Sequence, residues 1–330
     1  MSTYRTLKGY SIKSVASDPS NPKEGQIWYN NKSKKIRVNT IKPAAWASGG
    51  ALNTNKMASG GCGIQTAGLV FGGNAPPPTT NLTNQTEEYN GSSWSEQNNL
   101  NTTRQGLGGT GTQTAGLAFG GRLEPPTSLK NETEEYNGTS WAEQNNLNTA
   151  RINPGSAGTQ TAGLAFGGEA SPGATGDTEE YNGTSWSEQN NLGTARENPE
   201  GGGTQTAALG FGGYTPGSGA STLTEEYNGT SWTAGGAMGT ARYSLAGGGT
   251  QTAGIAFGGD PNRKAATELY DGTSWTSTQD LTSGRSALAS ANASPNSASL
   301  AFGGRTSTTA VTLTEEFTGE VDAVTSLDVS

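Results

Sequence analysis

The chain has 330 residues, a formal net charge of -8, 51 glycines, 30% apolar residues, one cysteine (Cys62) and no histidine. That composition excludes an intrachain disulfide framework and histidine-ligated metal chemistry. No run of about 18 apolar residues marks a membrane span, and no apolar h-region marks a secretory leader.

The charge is unevenly placed. Residues 1–42 carry nine Lys or Arg against Asp18 and Glu24, whereas the remainder carries 11 basic and 26 acidic residues. A basic leader on an acidic body predicts a segment that docks on an acidic protein neighbour. It contains no nucleic-acid recognition module, so no nucleic acid is expected as a partner.

Residues 1–20 are polar and irregular, and Asp18-Pro19-Ser20-Asn21-Pro22 is a rigid turn segment. Gly25-Gln26-Ile27-Trp28-Tyr29-Asn30 and Lys35-Ile36-Arg37-Val38-Asn39 alternate on either side of Asn31-Lys32-Ser33-Lys34, the pattern of a β-hairpin. A lone hairpin is marginal in water. The leader, 1–42, is therefore expected to act as an anchor through Trp28, Tyr29, Lys34, Lys35 and Arg37, packed on a partner, a second copy or the body.

Residues 43–330 repeat. Phe-Gly-Gly begins at Phe71, Phe119, Phe166, Phe211, Phe257 and Phe302, at steps of 45 to 48 residues. Tyr89, Tyr136, Tyr181, Tyr227 and Tyr270 follow, with Phe317 in the sixth copy. A period in the forties without helical patterning predicts one four-stranded propeller blade per repeat. Strand a follows Arg104, Arg151, Arg196, Arg242 and Arg285. Strand b is the Thr-Ala-Gly-Leu-Ala-Phe stretch, strand c is Thr-Glu-Glu-Tyr, and strand d opens with Trp94, Trp141, Trp186, Trp232 and Trp275. The Asn-Gly between c and d reads as a tight hairpin turn rather than a glycosylation signal.

The sixth repeat lacks a Trp strand after Phe317, and Trp46-Ala47-Ser48-Gly49-Gly50 matches Trp232-Thr233-Ala234-Gly235-Gly236. Trp46 is therefore expected to begin the strand that completes the sixth blade and closes the ring, which removes an open edge.

Two resemblances follow from these residues. The order Gly-Gly, Tyr, Trp, Arg over nearly all of 43–330 resembles kelch repeats, departing from them in the Gln-Thr-Ala-Gly start of strand b and the Glu-Glu before Tyr. The segment from Ser17 to Asn30 resembles the N-terminal part of structural and tail-fibre proteins of tailed marine bacteriophages. Together they imply an all-β fold: a six-bladed kelch-like β-propeller closed by an N-terminal strand and preceded by a short β-hairpin anchor.

The two faces of such a ring differ. The a–b turns (Gly-Thr-Gln-Thr) and c–d turns (Asn-Gly-Thr-Ser) are nearly constant, whereas the b–c loops differ in every copy. Both ends of the propeller fall on the constant face, so the variable loops point away from the anchor. Function concentrates on loops carried by a rigid scaffold. The candidate binding residues are Asn74, Pro76, Pro77, Arg122, Glu124, Tyr214, Asp260, Arg263, Lys264 and Arg305.

No catalytic set stands out. The Glu-Glu pairs (Glu87/Glu88 through Glu315/Glu316) put their side chains on opposite strand faces, and their repetition predicts a structural pairing between blades with the repeated Arg. The repeated Gln (Gln65, Gln113, Gln160, Gln205, Gln251) is expected to satisfy backbone groups rather than line the channel, and Cys62 to be a small packed residue. The expectation is a non-enzymatic virion protein without cofactor or metal, in the tail fibre or tail tip. Head decoration and a polysaccharide-acting enzyme are the alternatives, and an intracellular kelch-type adaptor a further one. Its expected partners are other virion proteins, a host surface glycan or receptor, and copies of itself.

Overall fold

A computed structural model of the chain describes residues 12–75, 81–124 and 128–327, among which every regular element is a strand. Two compact units are present, one formed by Met1–Ala44 with Gly319–Ser330 and the other by Ala45–Thr318.

The larger unit is an all-β fold of β-propeller type, made of repeated four-stranded antiparallel sheets. Among the described residues there are six, each ordered a-b-c-d. The third shows why the sequence folds this way. Strand a (Gly155–Thr159) and strand b (Ala162–Phe166) form a tight hairpin, followed by strand c (Thr178–Tyr181) and strand d (Trp186–Gln189). Asn182 closes the c–d turn by accepting the N–H groups of Thr184 and Ser185, both at 2.9 Å. Gly183 takes φ 86°, which a side chain would strain. After Phe166, Gly168 at φ 100° lies so close to the neighbouring chain that a Cβ would sit 2.8 Å from the Ile152 carbonyl. The Asn-Gly and Phe-Gly-Gly elements are thus backbone requirements.

The sixth sheet is assembled from both ends of the unit. Its strands Ala289–Ser290, Ala298–Phe302 and Thr314–Thr318 are completed by Ala45–Ser48, with Trp46 opposite Phe317.

Each sheet packs on the next through a repeated set of contacts, so a low apolar content suffices. Between the second and third sheets, Phe119 meets Trp186 edge-on at 5.0 Å within a core of Leu117, Leu147, Ala165 and Tyr181. Such aromatic pairs contribute about 0.5–1.5 kcal/mol beyond area burial. Trp186 Nε1 donates to Thr133 Oγ1 at 2.9 Å, and Tyr181 donates to Glu135 at 3.0 Å. Gln160 Nε2 donates to the Gly116 and Tyr136 carbonyls at 3.1 and 2.6 Å. The repeated Gln therefore satisfies backbone groups of the preceding sheet.

The Glu pairs divide this work differently from expectation. The second Glu crosses between sheets, and its partner is a Tyr hydroxyl rather than the Arg. The first Glu is buried against the Arg of the segment leading into its own sheet. Arg104 Nη2 lies 2.8 Å from Glu134 Oε1, while Arg104 Nη1 donates to the Gly120 and Glu132 carbonyls. Glu134 Oε2 also accepts Asn101 N–H at 2.7 Å, which fastens the crossing segment between sheets to strand c. Alternation along the strand separates the two roles, because neighbouring residues face opposite sides of the sheet. Lys56 replaces the Arg in the first sheet, with its Nζ 2.8 Å from Glu87; burial draws its ammonium below the ordinary range and the carboxylate opposes that.

The smaller unit holds one four-stranded sheet. Lys13–Val15 runs parallel to Ile27–Asn30, which pairs antiparallel with Lys35–Lys42, which in turn pairs antiparallel with Val321–Leu327. The propeller strands thus end at Thr318, and the C-terminal strand completes the leader's hairpin. This pairing supplies the third and longest edge that a lone hairpin lacks. Asp18 organises the start of the unit, accepting from Trp28 Nε1 at 2.8 Å and Asn30 Nδ2 at 2.7 Å. Those two bonds, Asn30 first, hold its carboxyl below the usual range.

Candidate functional site

The b–c connections and the segments joining one sheet to the next lie at the same end of every sheet, opposite the constant a–b and c–d turns. Four of the connections carry extra two-stranded ribbons, such as Tyr214–Thr215 with Gly219–Ala220. Diversity in this chain is thus concentrated on one face.

The predicted site residues fall into three groups there. Arg122 and Arg305 line the mouth of a central cavity of about 340 Å³. Arg122 pairs with Glu124 at 2.6 Å, and Arg305 with Asp260 at 3.1 Å while its Nε donates to Ser286. Burial raises the Asp260 carboxyl, but bonds from Ser286, the Arg263 N–H and Arg305 outweigh it and hold the group below the usual range. Tyr214 is partly buried edge-on against Tyr243, Arg263 takes φ 50° in the turn after Asp260, and Lys264 is partly buried beside it. Asn74 is buried and bonds Gln105, so it holds the scaffold and presents nothing outward. Pro76 and Pro77 lie outside the described residues.

The residues expected to form an anchor sit in the smaller unit. Trp28 is buried, Tyr29 partly buried, Lys34 and Lys35 exposed, and Arg37 donates to Ser326 Oγ at 2.9 Å. Trp46 lies in the other unit, where its indole donates to Thr267 at 3.1 Å.

The central cavity was not legible as a site in the sequence. Its mouth is ringed by Ala58, Gly106, Asn153, Asn198, Ser244 and Ala287, one from each sheet-joining segment, all with φ between 49° and 62°. Several are chained by backbone bonds: Gly106 N–H to Ala58 at 2.7 Å, Asn153 N–H to Gly106 at 2.6 Å, and Ala58 N–H to Ala287 at 2.9 Å. Deeper lies a smaller space of about 60 Å³, shared by Ser59, Ser156, Glu200, Ser290 and Asn292. Asn292 reaches across from the sixth sheet, its Nδ2 donating to Gly109 O at 2.8 Å and Ser156 Oγ at 3.3 Å.

Glu200 stands at the first residue of strand a, where the other sheets have Gly60, Gly108, Gly155, Ala246 and Ala289. Burial pushes its carboxyl up to about 8, partly opposed by the Gly201 N–H at 3.2 Å. The one signal in the sequence was this departure from a small-residue position. Among the described residues, no cluster of His, Cys, Asp and Glu is arranged to hold a metal ion, and no helix is long and apolar enough to cross a membrane.

No family model and no curated protein matches the chain. Its likeness is to solved structures. One of them, described as "Structure of YjhT", aligns at a TM-score of 0.67 over 84% of this chain and 99% of that one, with 13% sequence identity. At that identity the likeness establishes a shared β-propeller-type fold and nothing about chemistry.

Proposed function

We propose that the chain is a virion structural protein of a tailed phage: a six-bladed, kelch-like propeller closed into a ring, attached through its smaller unit and presenting its variable loops to a host surface or a neighbouring virion protein. The observation that carries this reading is the asymmetry of the two faces, one built of repeated turns and the other of six unlike connections. A catalytic protein needs one constellation, whereas a binding module needs a diversified surface on a rigid support.

Ring closure is supported by the contacts at the junction of first and sixth sheets, which repeat those found between successive sheets. Trp94 donates to Thr314 at 2.9 Å, Tyr89 to Glu316 at 2.5 Å and Gln65 to the Phe317 carbonyl at 2.6 Å. The attachment role is supported by the basic leader and by aliphatic side chains that the smaller unit leaves exposed, among them Ile27, Ile41, Val321 and Leu327.

The test is imaging of intact particles carrying a label at Gly217, a loop position with open space around its Cα. Label at the outer end of the tail supports host contact. Label over the head makes this a decoration protein, and no label on any particle sinks the virion reading. Removing residues 1–42 and 319–330 together is expected to abolish incorporation while the ring still folds; unchanged incorporation refutes the anchor.

A further inference from the structure

The inner cavity holds buried polar groups without partners. Asn292 is 5% exposed and its Nδ2 is committed to Gly109 and Ser156, which fixes the amide and leaves Oδ1 without a partner. Ser59 Oγ, on the same cavity wall, is also buried and unpartnered. Glu200 adds a carboxyl that accepts the N–H of its neighbour Gly201. Buried polar groups are ordinarily satisfied, and each that is not calls for an explanation.

We propose that the central cavity binds the ammonium group of a small primary amine, which enters from the variable-loop face and donates to Glu200, Asn292 Oδ1 and Ser59 Oγ. An ammonium offers three donors and no acceptor, which suits a carboxylate beside the unpartnered Asn292 Oδ1 and a Ser59 hydroxyl free to accept. Once ionised, the Glu200 carboxylate favours a cation over a neutral polyol and repels an anion. The two cations that line the outer cavity are already paired, Arg122 with Glu124 and Arg305 with Asp260, so neither neutralises Glu200. The outer space, about 340 Å³, lies in the range of small-molecule sites. This inference concerns the ring alone and stands independently of the virion reading.

Proton linkage gives the proposal a signature. Burial keeps the Glu200 carboxyl protonated up to about pH 8. An ammonium binds the carboxylate, so binding at lower pH expels the proton. Affinity then rises about tenfold per pH unit until the group is ionised, and levels above.

The experiment is titration calorimetry of the full chain with ethylammonium, glucosamine and N-acetylglucosamine, run near pH 6.5 in two buffers of different ionisation heat. Expected is binding of at least one amine with release of about one proton per site. N-acetylglucosamine, which lacks the ammonium, binds at least tenfold more weakly. Ethylammonium alone binding assigns the site to free aliphatic amines; glucosamine binding as well admits amino sugars. Glu200→Gln and Glu200→Gly, the latter restoring the residue of three other sheets, are expected to lose binding at least tenfold with far-UV circular dichroism unchanged. The proposal is overturned if neither amine binds the folded chain at about 10 mM, if Glu200→Gln binds as tightly as the parent, or if N-acetylglucosamine binds as well as the amines.

Discussion

Trp46→Ala is the most direct test of how the strand Ala45–Ser48 completes the sixth sheet. Trp46 is 7% exposed, donates to Thr267, and packs against Phe257 at 4.9 Å and Phe317 at 5.2 Å. Trp186, deep in the repeat, is 6% exposed with the same three kinds of partner: Thr133, Phe119 and Tyr181. Removing a buried Trp costs about 3–5 kcal/mol through lost transfer energy and the cavity left behind. About 1 kcal/mol of that belongs to the indole hydrogen bond, which Trp46→Phe isolates. Equal environments predict equal costs for Trp46→Ala and Trp186→Ala, read by urea unfolding followed with far-UV circular dichroism. Only Trp46→Ala also loosens a strand contributed by the other end of the chain. It therefore exposes the free edge of Thr314–Thr318 and promotes self-association, visible by light scattering after size exclusion. A cost below about 1 kcal/mol for Trp46→Ala, beside a full cost for Trp186→Ala and no change in mass, would refute closure by this strand.

Three further outcomes follow from the packing. Arg151→Met leaves the Glu179 carboxylate buried without its guanidinium and is expected to cost about 3–5 kcal/mol; adding Glu179→Gln should recover a substantial part, and no recovery would argue that the lost packing, not the stranded charge, dominates. In the fifth sheet Leu269 stands where the inter-sheet Glu is expected, and in the sixth Phe317 stands where its Tyr partner is expected. Leu269→Glu with Phe317→Tyr should therefore show a favourable coupling of about 1 kcal/mol in a double-mutant cycle, and zero coupling would mean that this interface is built differently. Glu200 keeps its proton in the folded chain up to about pH 8, whereas the unfolded chain releases it near 4.5. The folded state binds more protons in that window, so stability falls as pH rises through it and levels above about 8. Glu200→Gln should flatten this decline in the melting temperature; parallel profiles for parent and variant would contradict the assignment.

The sequence by itself determined the strands, the turns and their period. Phe-Gly-Gly, which occurs six times, and Glu-Glu-Tyr and Asn-Gly, which occur four times each, are local backbone and pattern requirements, and repetition makes a weak local signal readable. It also marked Trp46 as a strand-d tryptophan, because the match to Trp232 is itself local. Tertiary structure alone decided which partners those residues meet. The Arg and Tyr could each have taken either Glu, and only the geometry of the crossing segments assigns the first Glu to Arg and the second to Tyr. Val321–Leu327 carries no repeat signature, yet it pairs with Lys35–Lys42 nearly the whole chain away. Asn292 bonds Gly109, and Glu200 lines the same cavity, although the three residues belong to different sheets. Spacing along a chain records what lies within one repeat; what converges in space depends on how the repeats pack on one another, and no single segment carries that information.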